Sequence, residues 1–532
     1  MAKPSAPGKP AKPTQGISRA LTVAKARAYQ GELTPQLPGD SKTALEFLQA
    51  QTAPVFKGGH TLLPLSWWSW PLTVETYAEM AERWGYALDV RLGKTGEELD
   101  SPTSDASRLV ALHLSDPAQY PIFVQTRRVM FENDLLPGLL SSGAWCHDSL
   151  GAIIYDGSAP FMKPYIDDAD AIIIGDAEVE RLERLDALGA TVTLVLNGSE
   201  YPPTLPAGGS AFWHQDPEVD AWMTALNAGT DEDKITAYAG NKQKEEEAVR
   251  DAVLSVFPSA EVIYYYTGDS LRGIVSEIDR LNYVYPYRFM INGGTIPSWE
   301  IYYSLDGGWM PDSQQNCIPV RATNSLAQNI EDSSPLSYNW PSAGWSLTNP
   351  SEVADDDRYM GFLKYLYTLG SVGNVASYFS YPPEGFEGEV GTSPPDWLRQ
   401  ITLLAHAHAT FTYLENYLRS GTLLVGNGNH VFSLDLYGQP SWTHPSYEFT
   451  TSEGTPAAHV AARKLNASND WLIIAWAASG SSRTLSATIS TLGSVTLLAR
   501  PEGSLYRATP GPTLVLLDPD GMNPSASIGS LL

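Results

Sequence analysis

From residue 41 to 421 the chain alternates short apolar runs with amphipathic helical patterns, and this alternation restricts its fold more than any other feature. HTLLPLSWWSW (60–70) is strand-like, and TVETYAEMAERWG (73–85) follows with apolar residues at helical spacing and Gly85 as a stop. YALDVRLG (86–93) and YPIFVQ (120–125) read as further strands. The charged helix AEVERLERLDALGA (177–190) feeds the strand TVTLVLN (191–197). KQKEEEAVRDAVLSVF (242–257), with Val249, Val253 and Val256 on its inner face, feeds AEVIYYYTGDS (260–270). FMIN (289–292), PSWEIYYSL (297–305) and LSYNWPSAGWS (336–346) come next. The helix DDRYMGFLKYLYTLG (356–370) precedes NVASYFSYP (374–382), and a long helix over 396–421 ends at Gly421. About eight β-then-α units in succession predict a parallel sheet covered by helices and closed as a (β/α)8 barrel.

After Gly421 the periodicity changes. GTLLVGNG, HVFSLDLYG, HVAARKLN, DWLIIAWAAS, TLSATIST, GSVTLLAR and GSLYRA are short runs bounded by Gly, Asn, Asp or Pro. They predict a C-terminal antiparallel β-sandwich over 422–532. Residues 1–40 open with MAKPSAPGKPAKP, which reads as a flexible leader ahead of the 41–421 domain. A length of 532 residues suits this division into a large and a smaller domain.

The formal charge of −26, with no long basic stripe, excludes nucleic acid and anionic membrane as partners. No apolar run reaches the ~18 residues a bilayer requires. The first 30 residues lack an apolar signal core. The protein is therefore cytoplasmic, or secreted or periplasmic with its signal removed. Cys146 and Cys317 make no disulfide framework and read as two free buried thiols, with one bridge as the alternative. CxxC, HExxH, GxSxG, the P-loop and GxGxxG are all missing, so zinc, serine-hydrolase and nucleotide chemistries lack their signals. No metal or organic cofactor is expected.

A parallel barrel presents its reactive groups at the C-terminal ends of its strands. One such end is LVLNGSEYPP (194–203), which delivers Asn197, Glu200 and Tyr201. Glu200 reads as a general acid/base and Asn197 as a hydrogen-bond donor to substrate; the structural alternative is a Glu that caps its own loop. A second end is GGTIPSWEIYYSLDGGW (293–309), with Glu300 among Trp299, Tyr302 and Trp309. A carboxylate in an aromatic run needs a partner or a task. Glu300 reads as the second carboxylate, the alternative being an ion pair with an Arg such as Arg288. Two carboxylates over one sugar are what glycosidic cleavage requires. Asp269 is the runner-up acid, though Asp-Ser before a helix is a common N-cap. Asp89, inside LDVRL, is expected to pair with Arg91 or a neighbour. Trp67 and Trp68 offer planes for sugar rings, and His147 a contact in the loop after the third strand. Cys146-His147-Asp148 are neighbours in sequence and not a catalytic constellation. His406 and His408, two apart on a helix, are not a metal pair.

A barrel with one Glu after strand four, a second Glu on a later strand and a C-terminal sandwich resembles the clan of retaining glycoside hydrolases that includes agarases, β-galactosidases and cellulases. In that clan the acid/base follows an Asn directly after strand four; here the run is Asn197-Gly198-Ser199-Glu200, two residues looser. The clan's nucleophile sits on strand seven, and the strand count puts Glu300 on strand six or seven. The resemblance implies a glycosidase acting on a polysaccharide or oligosaccharide. Glu200 would be its acid/base, Glu300 its nucleophile, and Asn197, Tyr201, Trp67, Trp68, Trp299, Tyr302 and Trp309 its subsite walls. The alternative function is a carbohydrate-binding or scaffold protein that keeps the barrel without the chemistry.

Overall fold

The structure, a computed structural model, describes residues 43–68, 72–93, 95–126, 136–156, 159–197, 213–265, 293–302, 336–343, 355–377, 396–426, 447–451, 458–477, 481–489, 492–511 and 513–532. The leader and the FMIN run lie outside the described residues, and so do Glu200, Tyr201, Asp269, Trp309 and Cys317.

Eight strands pair in parallel: β1 Ser66–Trp68, β2 Leu88–Asp89, β3 Ile122–Gln125, β4 Val192–Asn197, β5 Glu261–Tyr264, β6 Glu300–Tyr302, β7 Ser337–Ser342 and β8 Ser371–Ser377. β2, β3, β4 and β5 lie side by side in parallel, with Asp89 opposite Phe123, Val124 opposite Val195, and Val195 opposite Val262. β6, β7 and β8 form a second parallel run, with Glu300 opposite Trp340 and Ser337 opposite Ser371. The order then returns to its start. β8 pairs in parallel with β1 through Val375 and Ser66, and Leu65 bridges to Tyr86 just ahead of β2. The two runs also meet at β5: the Thr295 amide donates to the Val262 carbonyl at 2.9 Å, and the Val262 amide to Thr295 Oγ1 at 2.8 Å.

Both faces of these strands are buried, which is why they read as nearly continuous apolar runs. Leu88, Ile122, Val124, Val195 and Val262 belong to the core shared with the helices. The residues between them, Ala87, Phe123, Leu194, Leu196 and Ile263, join Tyr265, Tyr338, Trp340 and Val375 in a separate inner cluster. That division follows the two-residue period of a strand.

Among the described residues the helices of seven residues or more are α1 Ala44–Ala50, α2 Val74–Trp84, α3 Asp105–Ser115, α4 Asp168–Asp176, α5 Val179–Ala187, α6 Pro217–Asn227, α7 Asp231–Val256, α8 Asp356–Leu369 and α9 Asp396–Ser420. Several starts are set by side-chain caps: Thr73 for α2, Ser104 for α3, Asp216 ahead of Pro217 for α6 and Asp355 for α8. Gly85 ends α2 at φ 77°, where a Cβ would stand 2.7 Å from the Phe56 ring. Two helices differ from the sequence reading. The pattern over 177–190 resolves into α5, ending at Ala187, behind a separate α4 capped by Asp167. The helix read as 242–257 begins at Asp231, because Thr230 and Asp233 form a reciprocal capping box eleven residues earlier.

The C-terminal part is one eight-stranded sheet. Its strands are β9 Gly421–Gly426, β10 Tyr447–Thr451, β11 His459–Leu465, β12 Asp470–Trp476, β13 Arg483–Ile489, β14 Gly493–Ala499, β15 Ser504–Thr509 and β16 Thr513–Leu516. Their spatial order is β14-β13-β10-β9-β11-β12-β15-β16. All pairs are antiparallel except β9–β10, which is parallel where the sequence reading expected antiparallel pairing. Leu472, Ile474 and Trp476 face α8, where Trp476 lies 5.7 Å from Tyr365 and 6.2 Å from Phe362. The opposite face of β11, β12 and β15 shares an apolar cluster with Leu485, Ala487, Ile489, Val495, Leu497 and Ala499 of β13 and β14. Two ends of one sheet can share a cluster only if the sheet turns over onto itself.

Arg463 of β11 ties this sheet to the helices. It is 2% exposed, and its guanidinium donates to the carbonyls of Thr368, Leu369, Leu418 and Gly421 at 2.6–3.1 Å. These are the last carbonyls of α8 and of α9 and its continuation, the negative ends of two helix dipoles. Burial holds the guanidinium down at about 10.

His408 on α9 gives the fold a pH dependence. It is buried, its Nδ1 lies 2.6 Å from Tyr367 Oη, and His60 meets it edge-on at 6.3 Å. Desolvation, with a smaller contribution from His60, pushes its pKa down to about 3, against the opposing pull of Glu415. The unfolded chain takes up this proton near pH 6.5 while the folded chain does not. The contribution is therefore complete above pH 6.5 and is lost as pH falls toward 3. We expect denaturant unfolding of wild type to lose up to about 1.4 kcal/mol per pH unit more than His408→Gln between pH 6 and 4. Parallel pH profiles for the two proteins would count against it.

Candidate active site at the strand ends

The inner cluster ends in aromatic rings at the C-terminal side of the parallel strands. Trp340 of β7 is fully buried and donates its indole N–H to Ser298 Oγ at 2.7 Å. Tyr265, one residue past β5, meets the Trp340 ring edge-on at 4.8 Å. Trp68, the last residue of β1, meets it at 5.7 Å and 75° and is itself half-buried. Edge-to-face contacts fix the rings relative to one another. Three strands thus lay an aromatic floor whose partly open member is Trp68.

Beside it the ends of β2 and β3 carry a polar group. Asp89 is 1% exposed and pairs with Arg91, whose Nε lies 2.7 Å from Asp89 Oδ2. The same oxygen accepts from Gln125 Nε2 at 2.9 Å and from Tyr77 Oη at 3.3 Å. Burial raises the Asp89 carboxyl above the usual carboxylate range, against the lowering by Arg91. The expected Asp89–Arg91 pair is present.

Asn197 is the last residue of β4, in register with Tyr264, and Glu300 opens β6 opposite Trp340. Tyr302 closes β6 opposite Ser342. Glu300 thus lies on the sixth strand of the parallel order. β7, the seventh, reads Ser-Tyr-Asn-Trp-Pro-Ser and holds no carboxylate, so the resemblance's strand-seven nucleophile has no counterpart there. Trp67 and Trp299 are 1% and 2% exposed and pack in the core on the helix side of the strands, since each is one residue out of phase with the inner face. His147 lies on an excursion between β3 and β4, bridged to Ile153, with its amide donating to Asp216 Oδ2 at 2.7 Å. Its neighbour Asp148 serves a turn, accepting the Leu150 and Ala152 amides at 2.8 and 2.9 Å. Cys146 is a free buried thiol pushed up to about 12 by desolvation, unsuited to attack at neutral pH. Among the described residues no His, Cys, Asp and Glu group could hold a metal, and no helix is long and apolar enough to cross a membrane.

The roles of Gln125 and Tyr265 were missed in the sequence. The signal that finds them is parity: stepping by two from Phe123 and Ile263 along the inner face reaches Gln125 and Tyr265.

No protein-family model matches the chain, and no curated protein does. Among solved structures the protein is similar to glycoside hydrolases. One is an exo-carrageenase from Bacteroides ovatus: TM-score 0.46, 9% identity, covering 86% of this chain and 84% of that one. Another is a β-galactosidase from the psychrophilic Marinomonas ef1: TM-score 0.42, 14% identity, covering 71% of this chain and 62% of that one. A third is a β-galactosidase from the Antarctic haloarchaeon Halorubrum lacusprofundi: TM-score 0.39, 14% identity, covering 66% and 58%. The chain therefore matches about three fifths of the length of either β-galactosidase.

Proposed function

We propose that the protein is a glycoside hydrolase of a polysaccharide or oligosaccharide, built on a (β/α)8 barrel with a C-terminal β-sandwich, and that Glu200 and Glu300 carry its chemistry. The observation that supports this best is the juxtaposition at the strand ends. Asn197 closes β4, Glu300 opens β6, and the floor of Trp68, Tyr265 and Trp340 lies between their strands and β1.

The mechanism in this reading is a retaining one. β4 and β6 both neighbour β5 in the proposed ring, and adjacent strands lie about 4.8 Å apart. Their ends are then about 10 Å apart, a span that a retaining pair would have to close to ~5–5.5 Å. Glu200 protonates the leaving oxygen while Glu300 attacks the anomeric carbon, forming a glycosyl ester. Glu200 then takes a proton from water, which attacks that carbon and releases Glu300. Asn197 holds a sugar hydroxyl, Trp68 stacks on a ring face, and Tyr201, Tyr302 and Trp309 complete the walls. Trp67 and Trp299 support this surface from behind.

The test is incubation with a panel of polysaccharides and oligosaccharides, read by new reducing ends and product mass. Release of reducing ends from at least one glycan is expected. Binding without release would favour the alternative of a carbohydrate-binding protein on the same fold.

A further inference from the structure

We propose that Asp89 is a substrate-positioning residue whose Oδ1 accepts a hydrogen bond from a sugar hydroxyl, on the side of the mouth opposite Glu300. This rests on the glycosidase reading and adds to it a specificity-determining group.

Three observations carry it. The first is position. Ala87 belongs to the inner apolar cluster, so Asp89, two residues further along β2, shares the inner face at the C-terminal end of its strand. In an order of eight strands that returns on itself, β2 and β6 are four places apart, so Asp89 and Glu300 stand across the mouth from one another.

The second is the uneven use of the carboxylate. Oδ2 takes all three donors, from Arg91, Gln125 and Tyr77, at 2.7, 2.9 and 3.3 Å. Oδ1 is buried and has no hydrogen-bond partner among the described residues. A bare buried carboxylate oxygen is unfavourable by itself, and a hydroxyl donor relieves it.

The third is rigidity. Asp89 is held from the segment after β2, from β3 and from α2 at once, through Arg91, Gln125 and Tyr77, so its carboxylate is fixed before any ligand arrives. Its shielding from water removes the solvent competition that weakens an exposed acceptor. Such a group discriminates strongly between a sugar that offers the hydroxyl and one that does not.

The Asp89→Asn variant separates the two oxygens. The amide oxygen takes the place of Oδ2 and keeps the three donors, while the amide nitrogen takes the place of Oδ1 and turns an acceptor into a donor. The ligands are the methyl glycosides of galactose, glucose and mannose with their monodeoxy analogues, titrated by tryptophan fluorescence with thermal unfolding as the folding control. For a variant that unfolds like wild type, affinity for the preferred glycoside is expected to fall roughly tenfold to a hundredfold. One deoxy analogue should bind wild type and variant alike. Undiminished affinity of a folded variant for every glycoside overturns the role of Asp89 and leaves the glycosidase reading in place. Failure of wild type to bind any glycoside, together with no cleavage across the polysaccharide panel, overturns both.

Discussion

Glu300→Gln is expected to lower turnover on the order of a thousandfold or more while leaving folding and sugar binding intact. Glutamine matches glutamate in size, so β6 keeps its pairing with β7 and the position opposite Trp340 stays filled. What is lost is an anion able to attack or stabilise the anomeric carbon. Binding through the aromatic floor and Asn197 needs no charge at position 300 and should persist in a titration. Glu200→Gln should behave differently. A general acid matters most for poor leaving groups, so natural glycosides should slow far more than aryl glycosides that depart unprotonated. Equal losses on both substrate types would contradict the assignment of Glu200 as the acid. Full turnover by Glu300→Gln would remove Glu300 from the chemistry.

The second large effect is on stability. Arg463→Met should destabilise the protein by about 3–5 kcal/mol, read as a lower midpoint in denaturant unfolding. The guanidinium satisfies carbonyls at the ends of two helices and does so from a strand of the C-terminal sheet. Methionine fills much of the volume but leaves those carbonyls buried without donors, and it removes a cation from two dipole termini. Arg463→Lys should recover only part, because one ammonium cannot span the carbonyls that a planar guanidinium reaches from three nitrogens. An unfolding midpoint equal to that of wild type for Arg463→Met would show that the helix ends find other donors.

These two residues mark how far the sequence could be read. The run around Glu300 stood out because a carboxylate among Trp299, Tyr302 and Trp309 conflicts with its surroundings unless it has work to do. Arg463, in HVAARKL, looks like any arginine near a strand end. Its partners are about 40 and 95 residues away in the chain, and only folding brings them together. The tryptophans show the same boundary at closer range. Trp67 and Trp68 are adjacent and were read alike, yet Trp67 packs toward the helices and Trp68 toward the inner ring. Successive residues of a strand point to opposite faces, and a strand apolar on both faces gives no pattern to say which is which.

The alternation of apolar runs and helical patterns determined by itself the order of strands and helices, and the parallel pairing follows from it because a crossover helix returns the chain to the same edge each time. It also determined where the candidate strand-end segments fall along the chain. Only the tertiary structure decided which face each side chain joins, that Glu300 stands on the sixth strand, that Asp89 shares an inner face with the aromatic floor, and that one arginine closes two helices. Those outcomes depend on strand phase and on contacts between distant residues, and neither is encoded in local periodicity.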